Sequence, residues 1–183
     1  MKKAGIFFAD GFEEIEALTV VDLLRRAGIE ALCVSVANKT EAVGSHGIKV
    51  AMDTAIDGLD FDSLDVIVCP GGMPGTKNLE KCDKLTEKIK EFNAGGKLIA
   101  AICAAPMIFG HLGLLKDKKA CIYPDMESEL IGANVVYDEV AKADNIITSR
   151  GMGTAIPFGL EIIATLIGKS ASDDLAKKIV YAD

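Results

Sequence analysis

The stretch "KLIAAICAAPMIFG", Lys97 to Gly110, places Cys103 between an apolar run and a proline-containing helix start. A strand, a nucleophile-type residue and an immediate helix form the layout of a nucleophile elbow, whose sharp turn exposes the side chain. There the free N–H groups and positive dipole end of the helix would stabilise a thiolate, the reactive form of the sulfur. Pro106 suits this layout, because proline is tolerated in the first helical turn, where its missing N–H costs nothing. The other reading of Cys103 is a small buried apolar residue, which is what most free cysteines are.

A carboxylate is the second candidate. Glu16, Val20, Leu23 and Ala27 fall on one helical stripe, at i, i+4, i+7 and i+11. A carboxylate heading an apolar stripe costs several kcal/mol unless it is protonated or paired. Alternatively, Glu16 belongs to a solvated first turn with Glu13 and Glu14, where acids favour the helix dipole. The glycine-rich "PGGMPG" matches neither G-x-x-x-x-G-K-[ST] nor G-x-G-x-x-G, which argues against a nucleotide site. It is a tight turn whose interest lies in its expected neighbour, Cys103. The histidines are only two, His46 and His111, and the five cysteines are widely spaced without a Cys-x-x-Cys pair. A disulfide framework is therefore not expected, and no ligand cluster for a metal stands out.

These residues need elements to position them. "KAGIFFA", "IEALCVSVA", "LDVIVCPGG" and "KLIAAI" read as strands, with shorter ones near 119–122, 133–137 and in "NIITS". Helical spacing marks "GFEEIEALTVVDLLRRAG", a segment of about 82–93, one starting near Ala104, and two at about 154–167 and 172–180. Residues 40–52 carry "GSHG" between two extended pieces, which reads as a hairpin with His46 on its surface. Apolar strands alternating with helices imply an α/β fold, a doubly wound and mostly parallel sheet with helices on both faces. In such a sheet, ligands bind beyond the carboxyl ends of the strands. Three of those ends are unusual here: "ADGFEE", "CPGGMPG" and "AICAAP".

The 183 residues fit one domain, spanning residues 1–183, and half of them are hydrophobic. A net charge of −7 argues against nucleic acid, whose phosphates would be repelled. No apolar stretch reaches the roughly 18 residues of a membrane span. The N-terminal apolar run is too short for a secretory signal and is followed at once by Asp10, Glu13 and Glu14, so a cytoplasmic protein is expected.

Together, "GFEEIEAL…VVDLLRRAG", "DVIVCPGGMPGTKNL", "AAICAAP" and "TSRGMGT" resemble the ThiJ/PfpI superfamily, in its branch around the parkinsonism-associated protein deglycase. The resemblance runs nearly end to end. It implies a flavodoxin-like fold and a homodimer, with Cys103 as the reactive residue and Glu16 as its protonated neighbour. It also implies an anion pocket formed by the N–H groups of Gly72 and Ala104, and neither a cofactor nor a metal. Two departures stand out. Where many members carry a histidine in an "HP" step, this chain has "YP", placing Tyr123 on the site wall. Where the peptidase-like branch has a histidine after the nucleophile, this chain has Ala104.

Three functions remain open at this stage. Cys103 could attack a small reactive carbonyl, methylglyoxal or its adduct on a glycated amine, with Glu16 as proton shuttle. It could instead be a redox sensor or chaperone cysteine, oxidised to a sulfinate beside Glu16. A peptidase or amidase is disfavoured by Ala104. With tyrosine replacing histidine, the site is expected to lack a group that titrates between pH 5 and 8, since a phenol titrates near 10.

Overall fold

The computed structural model describes residues 1–182 and follows the alternation read from the sequence. β1 (Lys3–Phe8) leads through α1 (Glu14–Arg26) to β2 (Glu30–Ser35). A hairpin of β3 (Glu41–Val43) and β4 (Lys49–Ala51) follows, then the short β5 (Thr54–Ala55). The middle of the chain holds β6 (Val66–Cys69), α2 (Gly75–Glu80), α3 (Asp83–Ala94), β7 (Leu98–Ile102) and α4 (Pro106–His111). The last part runs β8 (Lys119–Ala120), β9 (Asn134–Val135), β10 (Val140–Ala143), β11 (Ile146–Ser149), α5 (Ala155–Ile167) and α6 (Lys169–Lys178).

Seven strands form one sheet in the order β10-β11-β7-β6-β1-β2-β5, parallel except where β10 meets β11. Period-2 alternation splits β1 between two cores. Ile6 and Phe8 pack with Val20 and Leu24 of α1 and with Phe158 and Ile162 of α5. Phe7 points the other way, with Ile89 and Phe92 of α3 and Phe109 of α4. Every residue of β6 and β7 is buried, because helices cover both faces. The sheet is doubly wound, as expected.

Neighbouring strands β7, β6 and β1 are parallel, so their carboxyl ends emerge together at one edge. Three loops, Ala9–Glu13, Pro70–Pro74 and Cys103–Ala105, therefore meet there. They are locked to one another: the Glu13 N–H donates to the Gly71 carbonyl at 2.9 Å, and the Gly75 N–H to the Gly11 carbonyl at 3.1 Å.

Several elements differ from the sequence reading. The strand expected over 119–122 is only Lys119–Ala120, and it pairs with β9 in a separate two-stranded sheet. The edge strand β10 and the six-residue α2 carry too few residues for a periodic pattern and were not foreseen. The helix expected near Ala104 starts at Pro106, and α6 starts at Lys169 rather than near Ser172. Among the described residues, no helix is long and apolar enough to cross a membrane.

Candidate active site

Cys103 sits at φ +64°, in the left-handed region that a residue with a Cβ rarely adopts. Such a conformation persists only where the surroundings impose it. Here the Cys103 N–H donates to the Ser149 carbonyl at 2.9 Å, and its own carbonyl accepts from the Tyr123 N–H at 2.9 Å. Both backbone groups are thus held from outside the strand. Cys103 thus stands in a constrained turn between β7 and α4.

Glu16 lies on the buried stripe of α1 and is 1% exposed, so the solvated-turn reading is ruled out. Its Oε2 accepts the Gly71 N–H at 2.9 Å, and its carboxyl hydrogen-bonds the Cys103 thiol. Burial pushes Glu16 up to about 7, against the opposing pull of those two hydrogen bonds. Burial and the adjacent Glu16 push Cys103 up to about 12, while the N–H groups of Gly72 and Ala104 pull it down. Two acids in contact titrate as a pair, so between these limits they hold one proton between them. This revises the expected helix-dipole mechanism. α4 starts three residues beyond the sulfur and is only six residues long, so the proton balance rests on Glu16 and two backbone N–H groups.

The glycine turn is shaped to this pair. A Cβ on Gly71 would lie 2.6 Å from the Cys103 Cβ and 2.7 Å from Glu16 Oε2. Gly72 has φ +88°, and a Cβ there would lie 2.4 Å from the Glu13 nitrogen. Only glycines let the turn approach the thiol this closely.

A cavity of about 500 Å³ opens over the pair. Cys103 and Glu16 lie in it with Ile15, Ile48, Met152 and the half-exposed Tyr123, which stands on the wall as expected. Glu13, Glu14 and His46 complete the lining, and none of the three was assigned to the site from sequence. The hairpin folds over the start of α1, bringing His46 Nδ1 to 2.9 Å from Glu14 Oε2 and 3.7 Å from Glu13 Oε2. Burial pushes Glu14 up, but hydrogen bonds from the His46 ring and from the N–H groups of Glu14, His46 and Ile48 outweigh it and hold the carboxylate at about 2. The hydrogen bond to Glu14 in turn raises His46 above the ordinary imidazole value. The expectation of a site without an imidazole is therefore corrected, because His46 stands on its rim.

Potential ligand atoms of Glu13, Glu14 and His46 lie within 4.8 Å of one another, a grouping the sequence did not suggest. In this structure it is an ion pair, with both Glu14 oxygens already accepting hydrogen bonds from His46. A second cavity of similar size, beside Leu160, Ala176 and Tyr181, is lined by neither cysteine nor histidine.

The chain has clear relatives among known proteins. The pattern of the DJ-1/PfpI family matches residues 2–165. The chain is 37% identical over 181 residues to the DJ-1 homolog B of Arabidopsis thaliana, covering 98% of itself but only 41% of that longer relative. It is 33% identical over 172 residues to the glutathione-independent glyoxalase DJR-1.2 of Caenorhabditis elegans, covering 93% of this chain and 91% of that one. The solved structure of oxidized Toxoplasma gondii DJ-1 superposes with a TM-score of 0.95 at 35% identity, over the whole of both chains. Four sequence motifs, the sheet topology and these likenesses agree, and the chain belongs to the DJ-1/PfpI family.

Proposed function

We propose that this chain is a cofactor-independent enzyme for small reactive carbonyls, converting 2-oxoaldehydes such as methylglyoxal to hydroxy acids or releasing them from amine adducts. The observation that carries this reading is the Cys103 thiol set against the buried Glu16 carboxyl, beside the N–H groups of Gly72 and Ala104. The printed name of the glyoxalase relative supports it.

With the proton on Glu16, the Cys103 thiolate attacks the aldehyde carbon and a C–S bond forms. The carbonyl π pair moves to oxygen, beside the Gly72 and Ala104 N–H groups, and takes the proton from Glu16. The Glu16 carboxylate then removes the C–H proton, whose electron pair shifts into the adjacent ketone to give an enediolate. Glu16 returns that proton to the second carbon, and the hydroxyl proton of the first carbon passes to the oxygen of the second, which leaves a thioester. Water hydrolyses its C–S bond, releasing lactate and the thiol. No outside oxidant or reductant is needed, because one carbon is oxidised as its neighbour is reduced.

Lactate production from methylglyoxal tests the reading, and its absence would overturn it. Tyr123 can donate a hydrogen bond but, as a phenol, is a poor proton acceptor. Tyr123→Phe is therefore expected to slow turnover at most about tenfold, or about 1.4 kcal/mol of barrier. Complete loss would move the proton shuttle from Glu16 to Tyr123.

A second reading has one specific observation in its favour: the closely similar Toxoplasma structure is of an oxidized protein. Glu16 protonated beside Cys103 would hydrogen-bond a sulfinate there, as a redox sensor or chaperone requires. Mild peroxide that adds two oxygens to Cys103 without any lactate-forming activity would favour it. The homodimer implied by the family resemblance belongs to either reading. Sedimentation at micromolar concentration is expected to give twice the 19.3 kDa chain mass.

A further inference from the structure

We propose that His111 works as a pH-operated clasp. As the imidazolium it ties the end of α2 and the turn Glu127–Glu129 to the end of α4, and loss of its proton loosens the segment that carries Tyr123 into the cavity wall. The clasp is independent of the reaction that Cys103 performs.

His111 is the last residue of α4. Its Nδ1 stands 2.5 Å from Glu80 Oε1, at the end of α2. Its Nε2 stands 2.7 Å from Glu129 Oε2, in the single 3₁₀ turn Glu127–Glu129. Ionised carboxylates only accept hydrogen bonds, and a neutral imidazole has a single N–H. Both contacts are therefore satisfied only when both ring nitrogens carry protons. Once one proton leaves, a nitrogen lone pair faces a carboxylate oxygen and that side of the clasp opens. The His111 side chain is 31% exposed, so water screens the two ion pairs only in part.

The turn is pressed against α4. A Cβ on Gly110 would overlap the Glu129 carbonyl and lie 2.9 Å from the Ile131 nitrogen, so glycine alone allows this approach beside His111. Upstream, the Glu129 N–H donates to the Met126 carbonyl at 2.9 Å and the Met126 N–H to the Tyr123 carbonyl at 3.2 Å. The Tyr123 N–H in turn donates to the Cys103 carbonyl at 2.9 Å. Residues 123–129 thus form a strap, fixed at one end to the backbone of Cys103 and at the other to His111. Tyr123, Pro124 and Asp125 are exposed, so little apolar packing holds the strap once the clasp opens.

Two charged groups act on the ring, Glu80 from α2 and Glu129 from the turn, and α4 itself carries no other ionisable side chain. The hydrogen bond to Glu80, more than that to Glu129, raises the imidazole above its ordinary value against the opposing effect of burial. The clasp therefore contributes fully below the ordinary value near 6.5, and its contribution is lost as pH rises through the raised one. All three groups belong to one chain, on the sheet face packed by Leu79, Phe109 and Leu130, opposite the face that packs against α1 and α5. The clasp is complete within one subunit.

The chain has only two histidines, so NMR of the imidazole ring reads His111 directly, with His46→Gln assigning the signals. The His111 midpoint is expected above about 6.5, with protons on both ring nitrogens below it. Glu80→Gln and Glu129→Gln should each lower that midpoint by about 0.5. Exchange of the Tyr123 and Glu129 amide hydrogens, corrected for its intrinsic pH dependence, reads the strap. In the wild type their protection is expected to fall about two- to fivefold across the midpoint, the range that an exposed ion pair supplies. In His111→Gln it should stay flat. The clasp is overturned by a midpoint at or below the ordinary value, by one that neither glutamate variant moves, or by protection that does not change across it. A fall that persists in His111→Gln assigns the change to the Glu16–Cys103 pair, and a drop in sedimenting mass across the midpoint assigns it to subunit dissociation. Either result also overturns the inference.

Discussion

Glu16→Gln is expected to lose methylglyoxal turnover by at least about a hundredfold, the low end of what a positioned acid–base group supplies. Glutamine keeps the length and planarity of the side chain and can still accept the Gly71 N–H, so the loss reports proton transfer rather than shape. Two further measurements separate these roles. In the wild type, the rate of Cys103 alkylation by iodoacetamide should rise through about pH 7, where the first proton leaves the pair. Below that both protons are bound and no thiolate exists. Glutamine has no proton to share, so this step should vanish in the variant.

Stability should move in the opposite sense to activity. Glu16 has its folded value raised to about 7 from an ordinary 4.5. Its protonated form therefore stabilises the fold fully below about 4.5, and that contribution is lost as pH rises through 7. The swing is on the order of 3 kcal/mol. Glu16→Gln is free of it, so denaturant midpoints should favour the variant at pH 8 relative to pH 5. Near-normal turnover in Glu16→Gln would show that the shuttle lies elsewhere. Cys33 and Cys69, buried within strands, should label far more slowly in the folded protein than Cys103, which is only partly buried and opens on the cavity.

Gly72→Ala is expected to give the largest structural effect. At φ +88° an alanine pays about 1–2 kcal/mol for the left-handed conformation alone. Its Cβ would also lie 2.4 Å from the Glu13 nitrogen and 2.7 Å from the Gly11 carbonyl oxygen. Both are backbone atoms of the loop that carries the start of α1, and no rotamer change relieves them. Overpacking of this kind adds about 1–3 kcal/mol. A loss of about 3 kcal/mol corresponds to a fall in Tm of roughly 6–12 °C for a domain of this size. The shift also displaces the Gly72 N–H from the sulfur, so residual folded protein should alkylate and turn over more slowly. An unchanged Tm with full activity would mean that the turn does not position the site as described.

Much of this protein is written locally. The buried runs of β6 and β7, the helical stripe of α1 and the proline after Cys103 each carry their own signal. The elbow is recognisable because strand, nucleophile and helix are consecutive in the chain. The burial of Glu16 is foreshadowed by its place on an apolar stripe, although the stripe alone does not exclude a solvated first turn. Tertiary packing decides that question, by setting the Gly71 N–H and the Cys103 thiol, 55 and 87 residues away in sequence, against the carboxylate.

The charge of the site was beyond local reading. His46 reads as a surface residue in a polar hairpin tip, and its side chain is indeed 70% exposed. Its partner Glu14 is 32 residues away, and no spacing rule links a hairpin tip to the first turn of a distant helix. The short edge strand β10 failed to show for a related reason, since its strand character comes from the neighbour it pairs with, β11. Sequence by itself therefore determined the sheet and the break at which Cys103 stands, because these depend on patterns within one or two consecutive elements. Tertiary structure alone decided that Glu16 is buried against the Cys103 thiol and which charged groups surround them, because burial and through-space electrostatics depend on groups brought together from opposite ends of a closed fold.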